Sequence, residues 1–364
     1  MKIQIQREAL KDAMGLLGIV IPNHSPKPVI RCVRIVAEEG RVTLHGTNLE
    51  THVAYEVAHA EVEESGEVLI QANLLTEIAK AGRSDVLTMR AKETGCEVTE
   101  ADARYDLWGV PSKMYPVAPE AAGEYDATMS LEEFRSGVRR TEFAVATEHS
   151  RYAIGGVFLK QGNGQARLVA TDGRRLACCQ MKEDSDMEAK GIVPPKALKV
   201  LAAIPAGCQD PIKVMVKERQ AWFSCGPLLL TTNLLEGTFP DYEKVVPKDP
   251  PIKLSMNRKA VLRAIQQAGL MAKDSADGGI RLALSRGQAS FRVVAGAKNI
   301  ADVAVPTEYE GEPMEIGFKP EYISDALRAI GTDAFTLELT GPQSPGVIRD
   351  GADYLYLFMP VTLS

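Results

Sequence analysis

One segment of the sequence places an acidic side chain next to two arginines at the end of a predicted strand. This segment, ATDGRRLA at 170–177, contains Asp172, which could bind a metal ion, and Arg174 and Arg175, which could bind a phosphate group. Such residues would suit an enzyme that acts on phosphorylated substrates as a metal-dependent monomer. Asp-Gly is also a common turn dipeptide, so the same pattern is typical of a simple turn after a strand.

Other catalytic patterns are missing from the sequence. The histidines form no HExxH pair, and the seven-residue spacing of His45, His52 and His59 would put neighbours on opposite faces of a strand. Neither the GxxxxGKS/T phosphate loop nor the GxSxG nucleophile elbow occurs. We therefore expect no catalytic residues, no metal site and no cofactor.

The cysteines and the apolar runs indicate where the protein works. The six cysteines are scattered and include no CxxC pair, which favours reduced thiols in an intracellular protein over disulfides or zinc. No apolar run has the length of a signal peptide core or a membrane span. We therefore expect a cytoplasmic protein.

Basic residues could contact phosphate groups, although the chain as a whole is acidic. It carries 42 lysines and arginines against 48 acidic residues, a net charge of −6, which argues against a simple nucleic-acid-binding surface. Basic residues nevertheless recur at similar positions of six predicted helices: Arg7, Lys11, Lys80, Arg83, Arg135, Arg139, Arg140, Lys196, Lys199, 258–263, Lys319 and Arg328. One such helix would be typical of a solvated face, but the recurrence favours a basic helical surface that contacts phosphates.

Three long helices carry part of this basic surface. The predicted ranges are 7–20, 131–146 and 257–272. In the second, apolar positions from Phe134 to Val145 recur at helical spacing and predict a buried face, and Arg135, Arg139 and Arg140 lie outside it. Each helix would begin one structural unit of the chain.

The chain contains a pattern that occurs three times at a spacing of roughly 120 residues. Segments 73–100, 195–225 and 321–350 each read as a short amphipathic helix, a glycine-containing stop and two strands. The predicted strands at 41–50, 166–175 and 289–299 precede these helices at similar distances. A period of this length indicates three similar domains and not the thin repeats of a solenoid.

The length and composition agree with three domains. A chain of 364 residues with 45% hydrophobic content can form several domains, each with its own core. We predict an α+β protein with domains at 1–122, 123–249 and 250–364.

Two further segments complete a resemblance to a known family. They are LEGTFPDYEKVVP at 235–247, which is typical of a linker because Pro240 and Pro247 prevent a continuous helix, and the apolar end YLYLFMPVTL at 354–363. Together with the start MKIQIQREAL and with ATDGRRLA, in this order and spacing, they make the whole chain resemble the bacterial sliding clamps, the beta subunits of DNA polymerase III.

The resemblance implies an architecture and a way of holding DNA. Each of the three clamp domains would pack two helices on antiparallel sheets, and two copies would join head to tail as a homodimeric ring. Double-stranded DNA would pass through the ring without sequence readout, with helices lining the hole. At the joint, Tyr105 and Leu107 of one copy would meet Leu270 and Met271 of the other, and edge strands would pair there.

The resemblance also implies a groove that captures linear motifs of the polymerase III alpha subunit, the clamp loader and repair polymerases. Apolar walls and a few polar rim groups suit an extended peptide with Leu or Phe anchors. Matching residues form the groove: Ile154, Thr171, Gly173, Arg174, Arg175, Leu176, Pro240, Lys244, Val245, Ser344, Pro345, Leu357, Phe358, Met359, Pro360, Val361 and Leu363.

Some groove positions depart from the common family pattern. Arg174 stands where a histidine is frequent, Lys244 where an arginine is frequent, and the tail ends at Ser364 without a basic residue. We expect a shifted peptide preference, and we expect the bulky Phe358 to narrow the smaller subsite.

The resemblance assigns the DNA contacts less directly, because they come from loops and helix faces. The matching residues are Lys11, His24, Lys27, Arg135, Arg139 and Lys196. Besides the phosphate-substrate enzyme, one further alternative is an interaction scaffold, in which the three domains would form an open arc without any role on DNA.

Overall fold

The computed structural model describes residues 1–119, 123–146, 155–205, 207–272, 278–295 and 299–363. The chain divides into two compact units. The first contains Met1–Arg135, Lys160–Gln165 and Lys182–Glu236, and the second contains Ser136–Leu159, Ala166–Met181 and Gly237–Ser364.

Six α-helices occur in the described residues. They are α1 (Arg7–Val20), α2 (Ala72–Ala81), α3 (Leu131–Thr141), α4 (Pro195–Ala202), α5 (Arg258–Ala272) and α6 (Pro320–Ala329). The predicted helix at 7–20 has the observed bounds, and the one at 257–272 begins one residue later. The helix predicted at 131–146 ends at Thr141 and continues as a short 3-10 helix, Glu142–Ala144. None of the described helices is both long and apolar enough to cross a membrane.

The strands are short and numerous. In the first half of the chain they are β1 (Lys2–Gln6), β2 (Cys32–Glu38), β3 (Arg41–Thr47), β4 (Thr51–Glu56), β5 (Ala60–Glu64), β6 (Gly66–Gln71), β7 (Val86–Lys92), β8 (Gly95–Glu100), β9 (Ala103–Trp108), β10 (Ala127–Met129), β11 (Val157–Gly162), β12 (Gln165–Thr171) and β13 (Arg175–Lys182). In the second half they are β14 (Ala189–Val193), β15 (Ile212–Lys217), β16 (Gln220–Cys225), β17 (Leu228–Asn233), β18 (Ile252–Asn257), β19 (Ile280–Ser285), β20 (Gln288–Ala295), β21 (Asn299–Pro306), β22 (Met314–Phe318), β23 (Ala334–Leu339), β24 (Gly346–Asp350) and β25 (Tyr354–Phe358).

The first unit contains two antiparallel sheets. One has five strands in the order β5-β1-β7-β8-β9, and the other has eight strands in the order β10-β15-β16-β17-β4-β3-β2-β6. The pairing of β17 with β4, in which Leu230 lies opposite Val53, makes one sheet from strands of the first and second predicted domains.

The second unit repeats this arrangement. Its larger sheet contains β12, β13, β25, β24, β23 and β18 in that order, and its smaller sheet has the order β21-β20-β19-β22. The pairing of β13 with β25, in which Arg175 lies opposite Phe358, makes one sheet from strands of the second and third predicted domains. The sheets thus continue across the predicted boundaries, because edge strands of neighbouring domains pair with each other.

Helix pairs pack on these sheets and fill the cores. On α1, Leu10, Met14 and Leu17 are buried at helical spacing, as an amphipathic helix requires. On α5, Val261, Ile265 and Ala268 do the same. In each case the short second helix, α2 or α6, lies beside the long one.

Candidate functional site

The segment that could have held a metal ion forms a self-contained turn. Asp172 Oδ1 accepts hydrogen bonds from the backbone N–H groups of Arg174 and Arg175, both at 2.9 Å, and Oδ2 accepts one from Arg175 Nε at 3.0 Å. Thr171 Oγ1 donates to the carbonyl of Arg175 at 2.7 Å, and Gly173 adopts a φ of 84° that favours glycine. Asp172 therefore organises the turn. Among the described residues, no group of three or more His, Cys, Asp and Glu side chains could hold a metal ion.

Arg175 connects this turn to neighbouring segments of the second unit. Its Nη1 donates to Asp325 Oδ2 at 2.8 Å and its Nη2 to the carbonyl of Phe143 at 2.8 Å, while the guanidinium lies 5.0 Å from the centre of the Tyr322 ring. Burial opposes the charge, but the hydrogen bond to Asp325 and the charge of Asp172 outweigh it and raise the pKa of Arg175. Arg175 is predicted to line the groove, and in the structure its charged group holds the turn at 170–177 against α6.

The C-terminal segment lies beside this turn, as the predicted groove requires. Strand β25 pairs with β13, and the Met359 N–H donates to the carbonyl of Arg174 at 2.8 Å. Thr171, Leu176 and Leu357 are buried beneath this contact. Exposed residues form the rim: Gly173, Arg174, Pro240, Lys244, Val245 and Met359. The turn at 170–177 and the end of β25 therefore lie side by side, with exposed side chains next to buried ones.

The linker predicted at 235–247 lies beside these two segments, and its aromatic residues hold it there. Tyr242 packs with Leu176 and Leu357 in one core cluster, and the Phe239 ring stacks on Phe158 with centroids 4.8 Å apart. Lys244 forms an ion pair with Asp241 at 2.8 Å, and this hydrogen bond raises the pKa of the Lys244 ammonium group.

Phe358 does not narrow the groove, so that prediction is wrong. Its side chain is fully buried, and its ring centroid lies 6.0 Å from that of Phe318. A Cβ atom at Gly346 would overlap the Phe358 ring, so the glycine makes room for it. Successive side chains of a strand face opposite sides, and Phe358 consequently packs against Phe318 while Leu357 packs on the other side with Leu176 and Tyr242.

The tail after β25 is held against the third predicted domain. The Val361 N–H donates to the carbonyl of Gly317 at 2.8 Å, and any side chain at Gly279 or Gly317 would overlap Leu363. The tail borders a cleft of about 540 Å³, which no sequence pattern predicts and whose other walls include Arg281, Glu315, Pro342 and Gln343. Four predicted groove residues within or next to these segments are half-buried: Ser344, Pro345, Pro360 and Val361. Ile154, the remaining predicted groove residue, lies outside the described residues.

Most of the predicted DNA contacts lie on the surface. Lys11 is exposed on α1 and pairs with Glu8 at 3.0 Å. His24 and Lys27 are exposed in the proline-rich loop after α1, Arg139 is exposed on α3, and Lys196 is exposed in the first turn of α4.

Arg135 is the exception, because only 6% of its surface is exposed. Its guanidinium donates to the carbonyls of Ile204 and Pro205, just after the end of α4. The same contact occurs in the other two repeats, where Arg7 donates to the Ala79 carbonyl at 3.4 Å and Arg258 to the Leu327 carbonyl at 3.2 Å.

This threefold contact corrects the expected basic surface. Carbonyls in the last turn of a helix, or just after its end, have no intrahelical partner and carry partial negative charge, which a guanidinium satisfies. Helical spacing alone cannot separate such an arginine from a solvated one, since both lie beside the apolar stripe. We therefore no longer expect Arg135 to contact DNA. Arg7 and Arg258 are engaged in the same way, each with a carbonyl near the end of a short helix.

The two surfaces that are predicted to meet at the joint differ in how exposed their side chains are. Leu270 and Met271, at the end of α5, are 77% and 37% exposed. Tyr105 is half-buried and Leu107 is buried on β9, an edge strand of the five-stranded sheet. Exposed apolar side chains of this size beside free sheet edges are typical of an interface with another chain.

Family models and known proteins match the whole chain. Models of the N-terminal, central and C-terminal domains of the DNA polymerase III beta subunit match residues 1–119, 128–241 and 243–362. The Beta sliding clamp of Pseudomonas aeruginosa is 30% identical over 100% of both chains, and that of Chlamydia pneumoniae is 26% identical over 100% of this chain and 99% of its own.

Solved structures share the fold. A sliding clamp from Pseudomonas aeruginosa bound to griselimycin has a TM-score of 0.91 and 29% identity over 100% of both chains. The DNA polymerase sliding clamp from Bacillus subtilis has a TM-score of 0.92 at 24% identity, again over 100% of both chains.

Proposed function

The chain belongs to the DNA polymerase III beta subunit family and is a DNA sliding clamp, and from this premise we propose how its residues perform that role. The predicted resemblance and the clamp fold of helices and antiparallel sheets are confirmed. The residue roles are our proposal. The observation that supports them best is that three distant chain segments, the turn at 170–177, the residues around Tyr242 and β25, meet in the second unit, with exposed groups next to buried apolar ones.

We propose that the groove binds an extended peptide of a partner protein. Leu or Phe side chains of the peptide would cover Thr171, Leu176 and Leu357, and Met359 and Val245 would close over them as apolar rim groups. The partners would be the polymerase alpha subunit, the clamp loader and repair polymerases.

The ring would close through a head-to-tail contact between two copies. Leu270 and Met271 of one copy would cover Tyr105 and Leu107 of the other, and the edge strands would pair. A head-to-tail contact between unlike surfaces forms a closed assembly only if its rotation closes, here after two subunits. Topology would then hold the DNA, so no strong individual contact is needed.

The DNA face would consist of Lys11, His24, Lys27, Arg139 and Lys196. Contacts to phosphates carry no sequence information, and many weak ones let a ring slide. The net charge of −6 would keep the remaining surface from binding DNA. We further propose that the protein works in the cytoplasm. We also propose that it has no cofactor and no catalytic activity of its own, because Asp172, the metal ligand of the enzyme alternative, is engaged in hydrogen bonds within its turn.

Arg135 and Lys196 provide a matched test of this face. The Lys196→Ala change should leave the free energy of unfolding unchanged and lower the salt dependence of DNA binding by about one phosphate contact for each copy. The Arg135→Ala change should leave that salt dependence unchanged and destabilise the fold by about 2 kcal/mol, because buried carbonyls lose their donor. Binding measured between low and high salt, with urea unfolding beside it, separates the two roles. An unchanged salt slope in Lys196→Ala would remove Lys196 from the DNA face.

A further inference from the structure

Trp108 has no evident role within a single chain. Its indole is 70% exposed at the end of β9, and its opposite residue on the neighbouring strand is Gly95, which offers no side chain to cover it. Leu107 beside it faces the core and is buried. A tryptophan this exposed on an edge strand leaves a large apolar surface in water, which favours a contact with another chain.

A matching apolar pair lies at the β21 end of the four-stranded sheet. Val294 on β20 and Ile300 on β21 are directly opposite each other and are 50% and 53% exposed. Strand β21 is the edge of its sheet. Ala301, Val303 and Val305 on the same strand are less exposed and alternate with Ile300, so Ile300 lies on the sheet face that α5 does not cover.

The strand pattern limits how the two edges can pair. Every described pair in both sheets is antiparallel. Outward residues of β9 are Arg104, Asp106 and Trp108, and a shift by one residue would place them on the wrong face. One allowed register puts Arg104 opposite Asp302, and Trp108 is then a diagonal neighbour of Ile300. A shift by two residues puts Trp108 directly opposite Ile300 but sets Asp106 against Asp302.

Trp108 therefore reaches Ile300 in either register, and charge favours the first. Within the chain, Arg104 pairs with Glu97, and Asp302 accepts a hydrogen bond from Ser290. Both groups remain on the outward face, where an added partner would extend these contacts.

We propose that Trp108 of one copy covers Ile300 and Val294 of a second copy, on the sheet face opposite α5. This inference rests on the proposed head-to-tail ring and adds an apolar contact on the outer face of its joint. The contact makes pairing selective for a second copy of this chain, because a subunit with a small polar residue in place of Trp108 would leave Val294 and Ile300 uncovered.

Fluorescence tests the contact directly, because the chain contains two tryptophans. Trp222 is only 5% exposed, and a Trp222→Phe variant leaves Trp108 as the reporter. At concentrations where the protein is a dimer, Trp108 should emit at shorter wavelength and be protected from acrylamide. Dilution to monomer should shift the emission to longer wavelength and raise the quenching constant about threefold or more, as expected for an indole that loses its cover. Equal quenching in both states would overturn the inference.

A mutant cycle gives an independent measurement in the chain with both tryptophans. Trp108→Ser should raise the dimer Kd by about 30-fold or more, as for other aromatic anchors of interfaces. Ile300→Ser should weaken the dimer too, and the double variant should lose less than the product of the two effects. Met187→Ser is the control, since Met187 is 59% exposed and lies on none of β9, β20 and β21, and its loss should leave Kd unchanged.

The same series separates this inference from the proposed ring. If Leu270→Asp dissociates the dimer and Trp108→Ser does not weaken it, the outer-face contact is wrong and the ring stands. If neither variant changes the Kd, both the contact and the proposed joint are wrong.

Discussion

Removal of residues 359–363 should abolish binding of partner peptides and leave the dimer intact. Met359 is exposed on the rim, and Val361 and Leu363 hold the tail against Gly317 and Gly279. The deletion takes away one wall of the groove and the chain that borders the adjacent cleft. Loss of several contact residues should weaken binding of a linear-motif peptide by at least about 100-fold.

Fluorescence anisotropy with a labelled peptide measures this loss, and analytical ultracentrifugation measures the dimer. Thr362→Ala is the matched control, because Thr362 is exposed in the tail and its side chain should contribute little. The intact protein and the control should bind alike. A truncated protein that binds the peptide normally, or that stimulates the polymerase normally, would show that the peptide site lies elsewhere.

Charges placed at the joint should separate the two copies. The double change Leu270→Asp and Met271→Asp puts two carboxylates where apolar contact is expected, and burying them unpaired costs several kcal/mol. The dimer Kd should rise by about 1,000-fold or more, so that the protein is a monomer at micromolar concentration. Because both positions are exposed in the single chain, the free energy of unfolding of the monomer should change little.

Leu229→Asp is the control for added surface charge. Leu229 is 42% exposed on β17, which lies inside the eight-stranded sheet and is neither edge strand of the proposed joint, and its change should leave the dimer intact. Sedimentation velocity over a dilution series distinguishes the variants, and urea unfolding checks their folding. A Leu270→Asp and Met271→Asp protein that remains fully dimeric would place the joint on other surfaces.

The long helices were predictable because their apolar spacing is strong and local. The pattern from Leu10 to Leu17 specifies one buried face, and α1 has the predicted bounds. Helix α3 is shorter than predicted because the chain tightens into a 3-10 helix after Thr141. Apolar spacing alone does not distinguish this 3-10 helix from an α-helix.

Side-chain roles within these elements were less predictable. Arg135 and Arg139 lie on the same helix outside its apolar stripe, yet Arg135 donates to carbonyls of another segment. Its role depends on where the end of α4 lies, which is a long-range property. Arg7 and Arg258 each begin a long helix, but Arg135 lies inside α3, which begins at Leu131, so position along the helix does not reveal the shared contact.

The side-chain directions in the predicted groove were also less predictable than its chain segments. Family resemblance brings the turn at 170–177, the linker and the C-terminal strand to one place, and the structure brings them together in the second unit. The direction of each side chain depends on strand register, which turned Phe358 toward the core and engaged Arg175 with Asp325. The cleft beside Arg281 depends on two glycines that permit close approach of the tail, and glycine alone does not reveal what approaches it.

The most direct test of the whole account is retention on DNA with and without ends. The protein is loaded onto a nicked circular plasmid with a clamp loader and ATP, isolated by gel filtration, and divided into a sample that is left circular and one that is cut once by a restriction enzyme. A closed ring that holds DNA by topology should remain on the circle and leave the cut DNA by sliding off its ends. Equal retention on circular and cut DNA would show that the protein binds the DNA surface and does not encircle it.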